Sequence, residues 1–196
     1  MVLGEADIKD LAIIRTFPTG YTVSYMTNGK EEISLHKFGT EPRSLSKNFM
    51  DGVRASYSKY IVRIDGDDEQ SEYFLEYGIE LAKSREMAIS PVYLINDTWR
   101  LVDMPQGAGI FYEREKFLNV GGYDETLDFQ ADLDFYIRYT NQFPMSIEPS
   151  LVYLWKASGG RSANNKDAIL KFRREILDRH KLKEDEVHHF GGYAYI

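Results

Sequence analysis

The sequence predicts an α/β domain, and three observations carry that prediction. Strand-like and helix-like periodicities alternate along the chain, the pattern produced when helices cover a sheet. Tyr60 to Ile64 is a near-continuous β-favouring run, the composition of a strand covered on both faces, as in a parallel sheet flanked by helices. No repeat, low-complexity tract or Pro/Gly/Ser linker divides the 196 residues, so one domain is expected over 1–196.

In chain order, Leu11 to Phe17 is a short apolar strand ended by Pro18-Thr19-Gly20. Tyr21 to Met26 and Glu31 to Phe38 flank Asn28-Gly29, a hairpin-turn dipeptide. Ser44 to Tyr57 carries Leu45, Phe49, Met50 and Val53 at helical spacing. The Tyr60 strand stops in Asp65-Gly66-Asp67-Asp68-Glu69, and Ser71 to Ser84 reads as a helix with Phe74, Leu75, Gly78, Ile79 and Ala82 on one side. Ser90 to Ile95 and Thr98 to Met104 read as strands around Asn96-Asp97, and Ala108 to Tyr112 as another. Ala131 to Gln142 is a helix, Leu151 to Trp155 a final strand, and Asp167 to His180 a helix through Ile169, Phe172, Ile176 and Leu177.

Composition excludes several function classes. The chain has no cysteine, which removes disulfides and thiolate sites. Twenty-four Lys+Arg against 31 Asp+Glu leave a net charge of −7, the wrong sign for non-specific binding to nucleic acid or an anionic membrane. No apolar run approaches the ~20 residues of a membrane span. Glu5, Asp7 and Asp10 follow Met1 where a signal peptide is positive and then apolar, so a cytoplasmic location is expected.

The acidic turn holds the most chemistry. Carboxylates that cluster after a buried strand repel one another unless something offsets their charge, and a hard divalent cation is the usual agent. In extended backbone alternate residues point the same way, so Asp65 and Asp67 are expected to converge on one Mn²⁺ or Mg²⁺ while Asp68 faces elsewhere. As a calcium loop the segment fails, because Gln70 stands where glycine is required. A solvated acidic turn with no ligand is the simpler alternative.

Context comes from downstream. The run from Gly107 to Glu125, GAGIFYEREKFLNVGGYDE, followed by Ala131-Asp132-Leu133-Asp134-Phe135-Tyr136-Ile137-Arg138, resembles the acceptor half of GT-A glycosyltransferases, particularly family 2. With Asp65-Gly66-Asp67 as the Asp-x-Asp motif, the resemblance runs from about Leu45 to Ser162. It implies a GT-A fold with a central mixed, mostly parallel sheet flanked by helices. It also implies a nucleotide-sugar-binding half over 1–97 and an acceptor-binding half with C-terminal helix and tail over 98–196.

The same resemblance implies transfer of a sugar from a nucleotide-sugar to a hydroxyl of a carbohydrate, protein or lipid acceptor, with inversion. Asp132 matches the general base, and Asp65 and Asp67 match the metal- and diphosphate-binding carboxylates. Arg15, Arg43, Lys47, Asn48 and Lys156 fall in donor-binding positions, and Gly107, Ala108, Gly109 and Trp99 in the acceptor region. Independently of any family, a carboxylate in the first turn of a helix is stabilised by the free amides there, which suits Asp132 to remain ionised. Asp134, about 200° further round, has an i,i+4 partner in Arg138 and reads as a surface residue.

The chain departs from that family in three places. Ala131 stands where a second acid usually precedes Asp132, no Asp-Asp-Gly-Ser marks the nucleotide base, and Lys156 stands where many relatives have a histidine. A lysine cannot ligate a metal, but its point charge can face a leaving diphosphate. A sugar nucleotidyltransferase and an inactive nucleotide-sugar-binding module therefore stay open as alternatives. The segment 158–165 reads as a lid or an ordinary loop. His188-His189 read as a weak metal pair, and the tail from Gly191 is compatible with docking on the domain itself, on a partner subunit in a homo-oligomer or on a membrane surface.

Overall fold

The computed structural model describes residues 10–16, 22–27, 31–36, 45–95, 100–102, 107–156, 165–184 and 186. In chain order these form β1 (Leu11–Thr16), β2 (Thr22–Thr27), β3 (Glu31–His36), α1 (Leu45–Ala55), β4 (Tyr60–Asp65) and β5 (Glu69–Gln70). Then come α2 (Phe74–Arg85), β6 (Ala88–Ile95), β7 (Arg100–Val102), β8 (Phe111–Glu113), α3 (Arg114–Asn119), α4 (Ala131–Thr140), β9 (Met145–Trp155) and α5 (Lys166–His180).

The strands make one sheet in the order β3-β2-β1-β4-β8-β6-β9-β5, with β7 paired to β6. The sheet is mixed, but the expected parallel majority is corrected. Only β1–β4 and β6–β9 run parallel among the described strands. The other six pairings are antiparallel because hairpin-like returns, not helical crossovers, join many neighbours.

Alternation along the strands builds two cores. Ala12, Ile14, Ile61 and Tyr112 join α1, α3, α4 and α5 on one face, through Phe49, Met50, Val53, Phe117, Leu133, Phe135, Ile176 and Leu177. Leu11, Tyr60, Val62, Ile64 and Phe111 face the other way onto α2, through Phe74, Ile79, Leu81 and Ala82. The β4 run is thus covered on both faces. Gly78 is the tightest helix-to-sheet contact, for a methyl carbon there would stand 2.2 Å from the Phe111 ring.

The strand expected over 108–112 is shorter and later, at Phe111–Glu113, because Gly107 and Gly109 take φ of +84° and +77°, outside the extended region. β9 begins six residues before the expected Leu151, and its pairing with β6 is interrupted between Pro91 and Val92. No helix among the described residues is long and apolar enough to cross a membrane.

Candidate active site

The parallel strands β1 and β4 end side by side, with Thr16 in register with Asp65. Thr16 Oγ1 donates to Asp65 Oδ1 at 2.6 Å, and the Gly66 N–H donates to the Thr16 carbonyl at 2.8 Å. Arg63, two residues before Asp65 and so on the same face of the strand, closes a fork on that carboxylate. Its Nε donates to Oδ1 at 2.8 Å and its Nη2 to Oδ2 at 2.7 Å. The Arg63 side chain is only 8% exposed while that of Asp65 is 25% exposed. Burial opposes the Arg63 charge, and the carboxylates of Asp65 and Asp132 more than offset it, holding its pKa well above the usual arginine value.

The opposite wall is the turn through Gly107, Ala108 and Gly109, held by three buried tyrosines. The Gly107 N–H donates to Tyr136 Oη at 2.5 Å, Tyr123 Oη donates to the Gly107 carbonyl at 3.2 Å, and Tyr93 Oη donates to the Ala108 carbonyl at 2.6 Å. The Gly109 N–H completes the set on the Arg63 carbonyl at 2.7 Å. Tyr123 is itself fixed by ring contacts with Phe49, Phe117 and Phe135 at centroid distances of 5.1, 5.6 and 5.3 Å. Burial raises the pKa of both Tyr123 and Tyr136, so both phenols stay protonated.

Asp132 enters from the first turn of α4, after Gln130 in the left-handed region. Its Oδ1 accepts the Leu133 N–H at 2.9 Å. A methyl carbon on Gly107 would stand 2.6 Å from Asp132 Oδ2 and 3.3 Å from Arg63 Nη1. Arg63 and Asp132 therefore converge on one glycine, and Asp65, at the carboxyl end of β4, is joined to them through its fork with Arg63.

The other expected site residues scatter. Asp67 is exposed in the turn after β4, and the alternation expected of Asp65 and Asp67 does not apply because residues 66–67 are a turn, closed by Asp68 N–H on the Asp65 carbonyl at 3.2 Å. Asp68 Oδ1 accepts the Lys156 N–H at 2.9 Å. Burial, then repulsion from Asp65, pushes the Asp68 pKa up to about 7, with the Lys156 N–H pulling against it. Lys156 Nζ pairs with Glu69 Oε1 at 2.5 Å, a bond that raises the lysine pKa and keeps it charged at the rim of the acidic turn.

Arg15 precedes Thr16 in β1, and the pleat turns it to the face away from Asp65. On α1, Asn48 is buried and Lys47 exposed; Ser46 Oγ donates to the Leu127 carbonyl at 3.2 Å, which brings that end of α1 beside the approach to α4. Arg43, Trp99, the 158–164 part of the expected lid, His188-His189 and the tail lie outside the described residues.

Asp134 is corrected. Its expected partner Arg138 is present, with Nε and Nη2 donating to Oδ2 at 2.9 and 2.7 Å, but the carboxylate is 1% exposed rather than on the surface. His180 Nε2 and Arg179 Nη1 of α5 reach its Oδ1 at 2.9 and 3.2 Å. Arg138 also donates to the Val120 and Gly122 carbonyls at 2.6 and 2.7 Å, so this cluster locks the Gly121-Gly122 turn and docks α5.

The donor set does not fit the two-carboxylate ion cage expected of Asp65 and Asp67. Asp65 already accepts three hydrogen bonds from Arg63 and Thr16, and among the described residues no three His, Asp or Glu side chains are grouped to hold a metal. The residues that organise the site and were not expected are Arg63, Thr16 and the three tyrosines. Arg63 had a readable signal, a lone charge inside an apolar β-run two residues from the acid it pairs with.

A mixed sheet with helices on both faces and a site at the carboxyl ends of β1 and β4 is the GT-A fold of glycosyltransferases. Among solved structures, TarS of S. aureus superposes with a TM-score of 0.54 at 12% identity, over 72% of this chain and 29% of that one. A shorter TarS structure, residues 1–349 in complex with UDP, gives 0.50 at 11% identity over 69% of this chain and 52% of its own. GalNAc-T7 with UDP, GalNAc and Mn²⁺ gives 0.53 at 12% identity, over 71% of this chain and 35% of its own. The chain thus spans about half the length of these structures or less. No protein-family model matches the sequence, and no curated protein sequence does either.

Proposed function

We propose that the protein is a family-2-like GT-A glycosyltransferase that moves a sugar from a nucleotide-diphosphate donor to an acceptor hydroxyl with inversion at the anomeric carbon. The observation that carries this reading is the convergence of Asp132 with the Arg63–Asp65 pair over Gly107, at the carboxyl ends of parallel strands. Open α/β sheets bind their ligands in that crevice. The UDP held by TarS and by GalNAc-T7 supports a nucleotide-sugar as the donor.

In the displacement, Asp132 takes the acceptor's hydroxyl proton as the oxygen forms its bond to the anomeric carbon. The bond from that carbon to the diphosphate breaks, and its electron pair leaves on the diphosphate oxygen. Lys156, held by Glu69 at the rim of the acidic turn, is assigned to offset the charge of that departing group. The Gly107–Gly109 turn, fixed by its tyrosines, forms the acceptor floor. No step is assigned to a metal ion, because the Asp65 carboxylate is already committed to Arg63.

A panel of nucleotide-sugars, beginning with UDP-linked hexoses and N-acetylhexosamines, tests the reading by donor hydrolysis. Free sugar and nucleoside diphosphate are expected. Pyrophosphate as product marks a nucleotidyltransferase instead, and binding with no turnover marks a binding module. Asp132→Asn is expected to cut turnover by roughly 10²- to 10⁴-fold with donor binding retained; turnover near the parental rate removes Asp132 from the base role.

A further inference from the structure

We propose that Arg63 is a positioning residue of this site, an internal cation that ties Asp65 to Asp132 in the place between two acids where a dissolved divalent ion would otherwise balance charge. The inference rests on the transferase reading above. β4 is otherwise apolar up to Asp65, and a buried guanidinium is costly there unless its donors are met. Two of its nitrogens are spent on the fork to Asp65.

The third, Nη1, points away from that carboxylate toward Gly107, where Asp132 Oδ2 stands. The Tyr123 phenol holds the Gly107 carbonyl in place. A pair with a purely structural role needs no such second side. Here one rigid fork joins the strand that ends in Asp65 to the glycine turn against which Asp132 Oδ2 also stands. Gly107 has no room for a side chain, since a methyl group there would press on both Asp132 Oδ2 and Arg63 Nη1.

Three measurements test this on the whole protein: turnover of the donor found in the panel, UDP binding by calorimetry, and thermal melting. Arg63→Lys keeps the charge and loses the fork, which is not a conservative exchange at a bidentate site. Its kcat per folded molecule is expected to fall roughly tenfold to a hundredfold, the cost of a small misplacement of reacting groups, while the Kd for UDP changes less than about threefold. Parental kcat and KM alongside a lowered melting point assign Arg63 a structural role and overturn the proposal. Wild-type turnover is expected to survive removal of divalent ions with EDTA, and this arm decides the matter even where Arg63→Lys does not fold. Loss of turnover in EDTA, restored by Mn²⁺, overturns it. If the wild type turns over no donor in the panel, the transferase reading falls and takes this inference with it; an active wild type with an unaffected variant, or one that needs Mn²⁺, sinks only the inference.

Discussion

The molecule contains two arginine–aspartate forks that are near inversions of each other. At the end of β4 the cation is buried and the anion reaches outward, with Arg63 at 8% and Asp65 at 25% exposure. On α4 the anion is buried and the cation reaches outward, with Asp134 at 1% and Arg138 at 26%. Asp134 is met by two arginines and a histidine and touches nothing that could react, so its cluster joins α4, α5 and the glycine turn. Arg63 instead shares the approach to Gly107 with a second acid, Asp132. Burying the positive partner leaves carboxylates facing the opening, whereas burying the negative one leaves a strut.

Removing the buried anion should break the strut first. Asp134→Ala leaves Arg138, Arg179 and His180 facing an empty centre and is expected to cost about 3–5 kcal/mol in denaturant unfolding, with turnover per folded molecule near parental. A loss below about 1 kcal/mol would show that the two forks do not differ in kind.

Gly107→Ala acts on the other side. The methyl group meets Asp132 Oδ2 at 2.6 Å in a backbone at φ +84°. Turnover should drop roughly tenfold to a hundredfold, with a stability loss of only about 1–2 kcal/mol. An unchanged rate with a large fall in melting point would move Gly107 to the structural side.

Asp68→Asn probes the acidic turn, where like charges are not outnumbered as they are around Asp134. The Asp68 pKa is raised above its unfolded value to about 7, so the ionised form weakens the fold above pH 7 and the penalty disappears below about pH 4. The variant, which can still accept the Lys156 N–H, should be more stable than the parent by about 1–2 kcal/mol at pH 8 and equal to it near pH 4. A gain that grows on acidification would reverse the assignment. The smallest effect belongs to Arg179→Ala, a 46%-exposed partner of both Asp124 and Asp134, expected to cost no more than about 1 kcal/mol.

Much of this architecture is legible in local pattern. The hairpin strands around Asn28-Gly29, the helices at 45–55, 74–85, 131–140 and 166–180, and the doubly covered run at Tyr60 follow from periodicities of 2 and 3.6. What escapes depends on partners distant in sequence. β5 is two residues long and exists because Glu69 and Gln70 pair with Leu154 and Tyr153. Asp134 looks like a surface acid until α5, some 45 residues later, closes over it.

At the site, Asp65 and Asp132 can be picked out by residue type, and their proximity cannot. The turn that brings Asp132 up to Arg63, the partner of Asp65, depends on the positive φ of Gly107 and on three tyrosine hydroxyls, none of which leaves a periodic trace. An ion clamp of Asp65 and Asp67 needs extended backbone through residue 67, where the chain turns instead, and the arginine two positions upstream forks onto Asp65.

The strand order also bears on how the chain is made. β6 takes its longest partner from β9, and β4 pairs with β8, so from β4 to β5 strands from before residue 97 alternate with strands from after it. During synthesis at roughly 5–20 residues per second, β6 leaves the ribosome seconds before residue 145 follows it, with an apolar edge still waiting for its neighbour. Cleavage at the midpoint would yield two fragments that each lack half of the other's ladder, and they should regain a native sheet only by assembling together.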